Sequence, residues 1–429
     1  MATPRLLSQV QLLEGPGLPP RRADVLLENG QLAAEGEPAR TRAAALGLCP
    51  LDASGWWLAP PLVDPHSLLE DPHTGRAETL DSLARSAVAA GYGWVALLPQ
   101  ARRWRDAPEA LQLSAPAGSG LSLGLWGSLS LGGQGQELAP HAEQLAAGAV
   151  GLAEGPELPS LALLERSLAL GEMGDAPVLL APRDRALSQQ GLVREGVEAL
   201  RAGWPMDPPL SETLPLQGLL ALAAQHPERQ LRLMNLSTAA AVALLAALPA
   251  AGRPGASVSW WHLLADSGSL DPIAEGWRVE PPLGTPSDRT ALIDALAAGV
   301  LCAVAVHHAP LDPEEQLLPL DQRKPGVAGH RFVLPCLWQE LVVKRGWSAA
   351  QLWRALCFAP ARLLGMAPPS LSLGSDQWVV FDPGCPWQPA QDAWGPHAAN
   401  QPVAAASLTG QVLASGLIPE LRRWSVSPA

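Results

Sequence analysis

ETLDSLARSAVAAGYGWVALLPQ, residues 78–100, joins two periodicities in 23 residues. Over 78–91 apolar residues recur at i, i+3 and i+4, as on a helix with one buried face. Thr79 stands where an N-cap belongs, and Gly91 where a helix stops in the left-handed conformation. The run 94–100 is continuously apolar and ends on Pro99-Gln100, as a strand buried on both faces would. This helix-then-strand unit recurs along the middle of the chain. Apolar runs at 120–131, 148–155, 176–184, 229–238, 256–264 and 299–310 alternate with helical stretches at 160–174, 215–228, 238–248 and 287–299. Gly174 and Gly299 read as further C-terminal stops, and Ser287 as an N-cap. About eight such repeats call for parallel strands with helical crossovers. Their natural closure is an α/β fold of the (β/α)8, TIM-like barrel type. A doubly wound open sheet is the competing arrangement, but no GxGxxG opens a helix after the first strand.

Outside this block the character changes. Residues 21–34, RRADVLLENGQLAA, read as two strands around a type I′ Asn29-Gly30 turn. SDQWVVFDP (375–383) reads as another strand, and 404–416 as a hairpin around Gly410. A small β-sandwich made of both chain ends, residues 1–60 plus 366–429, is therefore expected beside a barrel over 61–365.

The bulk composition narrows the function. The 429 residues carry 48% hydrophobic and 16% charged side chains, and the net charge is −12. Such acidity disfavours nucleic acid and anionic membrane surfaces, which need clustered Lys and Arg. No apolar run has the length expected of a membrane span, and the opening MATPRLLSQVQLLEGPG lacks the long apolar core expected of a secretory leader. Five scattered cysteines without a CxxC pattern suit reduced thiols in the cytoplasm. Lysine occurs only at Lys324 and Lys344, so no lysine serves chemistry earlier in the chain.

In a barrel the chemistry sits at the C-terminal strand ends. There the sequence offers Asp64 and His66 in LAPPLVDPHSLLEDPH (58–73), then Glu154, Arg183 and Asp184, Asn235, His262, and the pair His307-His308. A two-metal hydrolytic site needs about four imidazoles and two or three carboxylates around two ions. The low-order candidates here are His66, Glu154, His307 and His308, at best a mononuclear site. No GxSxG elbow supports a serine nucleophile. The pairs Trp56-Trp57 and Trp260-Trp261 suit core or interface packing.

These motifs, in this order, resemble dihydroorotase of the cyclic amidohydrolase superfamily over nearly the whole chain. Ser237-Thr238, Pro281-Pro282-Leu283 and His308-Ala309-Pro310 are the most specific matches. The resemblance implies the barrel and the terminal β-sandwich. It also exposes losses. Leu68 replaces the second histidine of the His-x-His pair. Ala181 and Asn235 replace two further metal histidines, and His307 replaces the catalytic aspartate. Among the residues that would bind substrate, Glu70 stands for an arginine, Gln100 for an asparagine, Glu280 for an asparagine and Gly284 for an arginine. Glu70 and Glu280 would repel a carboxylate. The resemblance thus implies a dihydroorotase homologue of pyrimidine biosynthesis without hydrolase activity and without a metal cofactor. As in the degenerate chains of some bacteria, it would serve as a structural partner of aspartate carbamoyltransferase in a homo- or hetero-oligomer, with Trp347 or Trp353 as docking candidates. The competing expectation is an active cyclic amidohydrolase with a rebuilt zinc site at His66, Glu154, His307 and His308.

Overall fold

The computed structural model describes residues 4–269, 276–319, 321–404, 406–418, 421 and 423. Eight parallel strands form the central sheet: β1 (Leu62–Ser67), β2 (Tyr92–Leu97), β3 (Ser122–Ser128), β4 (Gly151–Ala153), β5 (Val178–Leu180), β6 (Leu231–Leu233), β7 (Gly255–Ser259) and β8 (Ala303–Ala305). They hydrogen-bond in chain order, so each βα unit lies beside its predecessor. The barrel expected from the alternation is present.

The seam between β8 and β1 is closed in an unusual way. Among the described residues two backbone bonds cross it, His307 N–H to the His66 carbonyl at 3.2 Å and Leu68 N–H to the His308 carbonyl at 2.8 Å. Side chains of β1 supply the rest. Asp64 Oδ1 accepts the Val306 N–H at 3.0 Å, and Ser67 Oγ accepts the His308 N–H at 2.8 Å. Asp64 Oδ2 is in turn bonded by Ser67 Oγ at 2.5 Å and by His330 Nε2 at 3.0 Å. Two polar side chains therefore do the work of a ladder, and both are fully buried.

The helices follow their caps. In the helix Leu80–Ala89, Thr79 accepts the Ser82 N–H, and Leu80, Leu83, Ala84, Ala87 and Val88 are buried. Three boundaries differ from the sequence reading. The helix expected over 287–299 starts at Pro286, because Thr285 and Asp288 form a reciprocal capping box that Ser287 does not. The helix from Leu161 stops at Gly171 (φ 68°) before reaching Gly174. The helix expected from 215 begins at Leu210. Its extra turn is anchored by the buried Glu212 carboxylate, which accepts the Ser237 N–H at 2.7 Å and the Thr238 hydroxyl at 2.5 Å.

The chain ends combine into one hydrogen-bonded seven-stranded sheet with its own apolar cluster, including Leu7, Val10, Leu58, Trp378 and Val380. Its strands fall within residues 5–59 and 379–415, and the barrel elements lie between 62 and 363. Asn29 (φ 53°) and Gly30 (φ 82°) make the expected turn. The hairpin expected around Gly410 is instead a single strand, Leu408–Ser415, antiparallel to Val379–Trp387. Gly410 sits mid-strand at φ 104°, where a Cβ would meet the Phe381 ring at 3.0 Å.

Among the described residues no helix is long and apolar enough to cross a membrane. Trp347 and Trp353, expected as docking candidates, are both buried, as are Trp260 and Trp261.

Candidate functional site

The strand ends open into a cavity of about 270 Å³. Its wall includes Leu68, Gln100, Ala181, Asn235, Glu280 and His307, six of the positions that the sequence resemblance singles out. Glu70 lines the adjoining outer cavity, of about 560 Å³. Gly284 does not reach the inner wall. It packs on the helix cap, where a Cβ would come within 2.6 Å of Asp288.

The structure brings two of the four candidate ligands together. His66 and His307 face each other with Nδ1 to Nδ1 at 3.2 Å, which requires one ring to donate and the other to accept. The second nitrogen of His66, Nε2, lies 2.9 Å from Ser257 Oγ. That hydroxyl also accepts the Asn235 N–H at 3.1 Å. Asn235 and His307 both hold left-handed backbone conformations, φ 52° and 47°. Burial, followed by the neighbouring His307, pulls the His66 imidazole well below its usual range. Burial lowers His307 to about 4, with Asp64 and Glu280 opposing the shift. Both rings are neutral at physiological pH.

The other two candidates are elsewhere. His308 is fully buried, with Nε2 at 3.5 Å from Glu78 and Nδ1 accepting the Gly329 N–H at 3.3 Å. The Glu154 carboxylate accepts its neighbour's N–H, from Gly155, at 3.2 Å, and burial raises its pKa. Asp64 is committed to the barrel seam. Among the described residues no three His, Cys, Asp or Glu side chains converge as a metal cluster. A catalytic zinc takes three protein ligands, and a two-metal site more. The His66–His307 pair supplies two neutral donors and no balancing carboxylate, and Leu68 and Ala181 present carbon to the cavity. The residues present do not fit the metal centre of a hydrolytic amidohydrolase.

The charge reading also changes. Glu280, expected to repel a carboxylate, is held by Arg183 at 2.9 Å, with Arg185 at 3.8 Å. Glu70 is paired with Lys324 at 3.3 Å, and Lys324 pairs again with Glu315 at 2.9 Å. A buried ionic network that the sequence reading missed forms part of the wall, with Arg183, Arg194 and Glu212 lining the cavity. Asp207 sits between Arg183 at 3.0 Å and Arg194 at 3.2 Å, and Arg194 also reaches Glu212 at 3.6 Å. Arg194 comes from a short stretch, Val193–Arg194, which pairs with Met206–Asp207 and bridges Leu283. A lone arginine in a connecting segment has no spacing signal, so only the fold reveals its position. His262 completes the wall. Its Nε2 donates to the Pro281 carbonyl at 3.0 Å, and burial lowers it to about 4.

No family model matches the chain. Among known proteins it is similar to a probable dihydroorotase-like protein of Synechocystis sp., with 34% identity over 393 residues, 83% of this chain and 87% of that one. It is 31% identical to a dihydroorotase of Anaeromyxobacter dehalogenans over 346 residues, 79% of each. A dihydroorotase-like protein of Pseudomonas aeruginosa is 29% identical over 84% of this chain and 86% of its own. Among solved structures, an L-hydantoinase (dihydropyrimidinase) from Arthrobacter aurescens superposes with a TM-score of 0.77 at 18% identity, covering 97% of this chain and 94% of that one. A dihydropyrimidinase from Brevibacillus agri follows the same path with a TM-score of 0.75 at 19% identity, over 99% and 96%. At that identity the likeness is one of fold.

Proposed function

The chain belongs to the dihydroorotase-like family of cyclic amidohydrolases, and from that premise we propose that it is a member without hydrolase activity. In this reading it serves pyrimidine biosynthesis as a structural partner of aspartate carbamoyltransferase. One observation carries the loss of activity. His66 and His307 spend their facing nitrogens on each other, 3.2 Å apart, with no third ligand among the described residues. Metal-assisted hydrolysis needs a bound hydroxide at neutral pH, and that needs an ion held by more than two neutral donors.

The partner role needs an exposed apolar face in place of the buried Trp347 and Trp353. Two neighbouring outer helices offer one. Leu161 is 45% exposed on Leu161–Leu170, and Leu210 and Leu214 are 54% and 48% exposed one turn apart on Leu210–Gln225. Gly218, one turn further, lies against Leu161 and keeps the two helices close. Exposed leucines gathered on neighbouring helices in this way suit an interaction surface.

The test has two arms. Ring opening of dihydroorotate, and closure of carbamoyl aspartate, are assayed with zinc, manganese or cobalt added. Co-purification with the transferase of the same organism is measured in parallel. We expect no turnover and a stable complex; metal-dependent turnover, or no complex, overturns the corresponding half. The proximity of His66 and His307 favours one second reading, a single zinc held at that pair in an active amidohydrolase. It requires about one equivalent of zinc by mass spectrometry, lost in His66→Ala. Less than about 0.1 equivalent after zinc incubation rules it out.

A further inference from the structure

We infer that residues 312–319 and 321–324, after β8, form a salt-released lid over the outer cavity, latched shut by two ion pairs to the loop after β1. This goes beyond the proposed function, because it concerns entry to the cavities and not what is done in them.

The first argument is how the segment is built. None of these residues is buried, and Leu317 is 84% exposed. The segment is braced from within. Asp312 and Glu315 form a reciprocal capping box around the turn Pro313–Gln316, Arg323 donates to the Gln316 carbonyl, and Lys324 pairs with Glu315 at 2.9 Å. A self-braced unit without a buried side chain can swing as one body at little cost to the core.

The second argument is what holds it down. Among the described residues, every hydrogen bond and ion pair that leaves the segment goes to the loop after β1. Arg76 grips Glu314 through two bonds of 2.6 and 3.0 Å, and Lys324 reaches Glu70 at 3.3 Å. The side chains of Arg76 and Glu314 are each 70% exposed, and those of Lys324 and Glu70 are 58% and 72% exposed. Ion pairs this open to water are weak, and salt screens them.

The third argument is the contrast at the base. The Leu311 N–H donates to Asn400 Oδ1 at 2.9 Å, and Asn400 Nδ2 donates to the Ala309 carbonyl at 2.8 Å. The Ala309 N–H donates to the Val327 carbonyl at 3.0 Å. Asn400, Leu311, Ala309 and Val327 are all buried. Neutral buried bonds make a hinge that salt does not reach, and exposed ion pairs make a latch that it does. Asp312, Glu315 and Lys324 line the outer cavity together with Glu70 and Arg76, and Lys324 also lines the inner one. Releasing the latch therefore widens the entry to both.

The test places a thiol behind the lid, Leu68→Cys, in the full-length chain carrying Cys49→Ser to remove the exposed native thiol. Its labelling by N-ethylmaleimide is timed against the same chain without the added thiol. The reagent is uncharged, so ionic strength acts on the protein alone. We expect sodium chloride raised from about 0.01 M to about 1 M to speed labelling at least about threefold. Glu314→Gln, at an exposed position, should leave the melting temperature unchanged, give the faster rate at low salt and remove most of the salt response. Arg76→Glu combined with Glu314→Arg should restore the slow rate and its salt dependence. Equal rates at both salt concentrations, an unaffected rate in Glu314→Gln, or a charge swap that stays fast overturns the inference. The reagent reads entry and not turnover, so none of these outcomes touches the claim of lost hydrolysis.

Discussion

Acidification should destabilise this protein well above the pH at which its carboxylates titrate, and His262 provides a clean measure. In the unfolded chain its imidazole titrates near 6.5, and in the folded cavity wall near 4. Between those values the unfolded state binds more protons, so stability rises with pH across the window and is lost as pH falls from about 6.5 towards 4. For one such group the difference between pH 8 and pH 5 is RT ln(1 + 10^1.5), close to about 2 kcal/mol. His307, also near 4, adds a similar amount, so the two together give about 4 kcal/mol. His66 shifts in the same direction. Urea denaturation of the wild type and of His262→Gln at pH 8 and pH 5 isolates the effect. The variant loses the bond to the Pro281 carbonyl and is less stable at pH 8. Its stability should nevertheless fall by about 2 kcal/mol less than that of the wild type on going to pH 5. If wild type and variant lose the same stability on acidification, His262 is not held neutral and the reasoning is wrong.

Other consequences are equally direct. Asp64→Asn removes the buried carboxylate that accepts from Val306, Ser67 and His330 at the barrel seam. It should cost about 3 kcal/mol, read as a lowered urea midpoint and as faster hydrogen exchange of the Val306 and His308 amides. Arg194→Met leaves Asp207 and Glu212 buried with less compensation and should cost about 3–5 kcal/mol, whereas a loss under 1 kcal/mol would show that the network is not energetically coupled. Leu214→Glu, on an exposed face, should leave the melting temperature within a degree or two while weakening association with the transferase at least about tenfold; unchanged association would move the docking face elsewhere.

The barrel was legible in the sequence because its signal is local and repeated. The periodicity over 78–91, the continuous apolar run at 94–100 and the caps at Thr79 and Gly91 each bias a few neighbouring residues, and eight such units leave few ways to close a sheet. The Asn29-Gly30 turn was legible for the same reason. Local chemistry also misled where a distant side chain decided the outcome. Gly410 reads as a turn, yet it lies within a strand paired with Val379–Trp387, and the Phe381 ring, 3.0 Å from where a Cβ would sit, accounts for the glycine. The site divided along the same line. Leu68, Ala181 and Asn235 could be singled out one residue at a time. What surrounds them could not, because the contacts join residues far apart in the chain. His66 meets His307 across 241 positions, and Asp64 meets His330 across 266. Glu280 and Glu70 looked like unpaired negative charges in the sequence. Only the tertiary structure, by bringing Arg183 and Lys324 to them, decided that these two carboxylates are paired. Sequence determines which groups are available, but pairing between them is set by distances of a few ångströms that only the closed barrel defines.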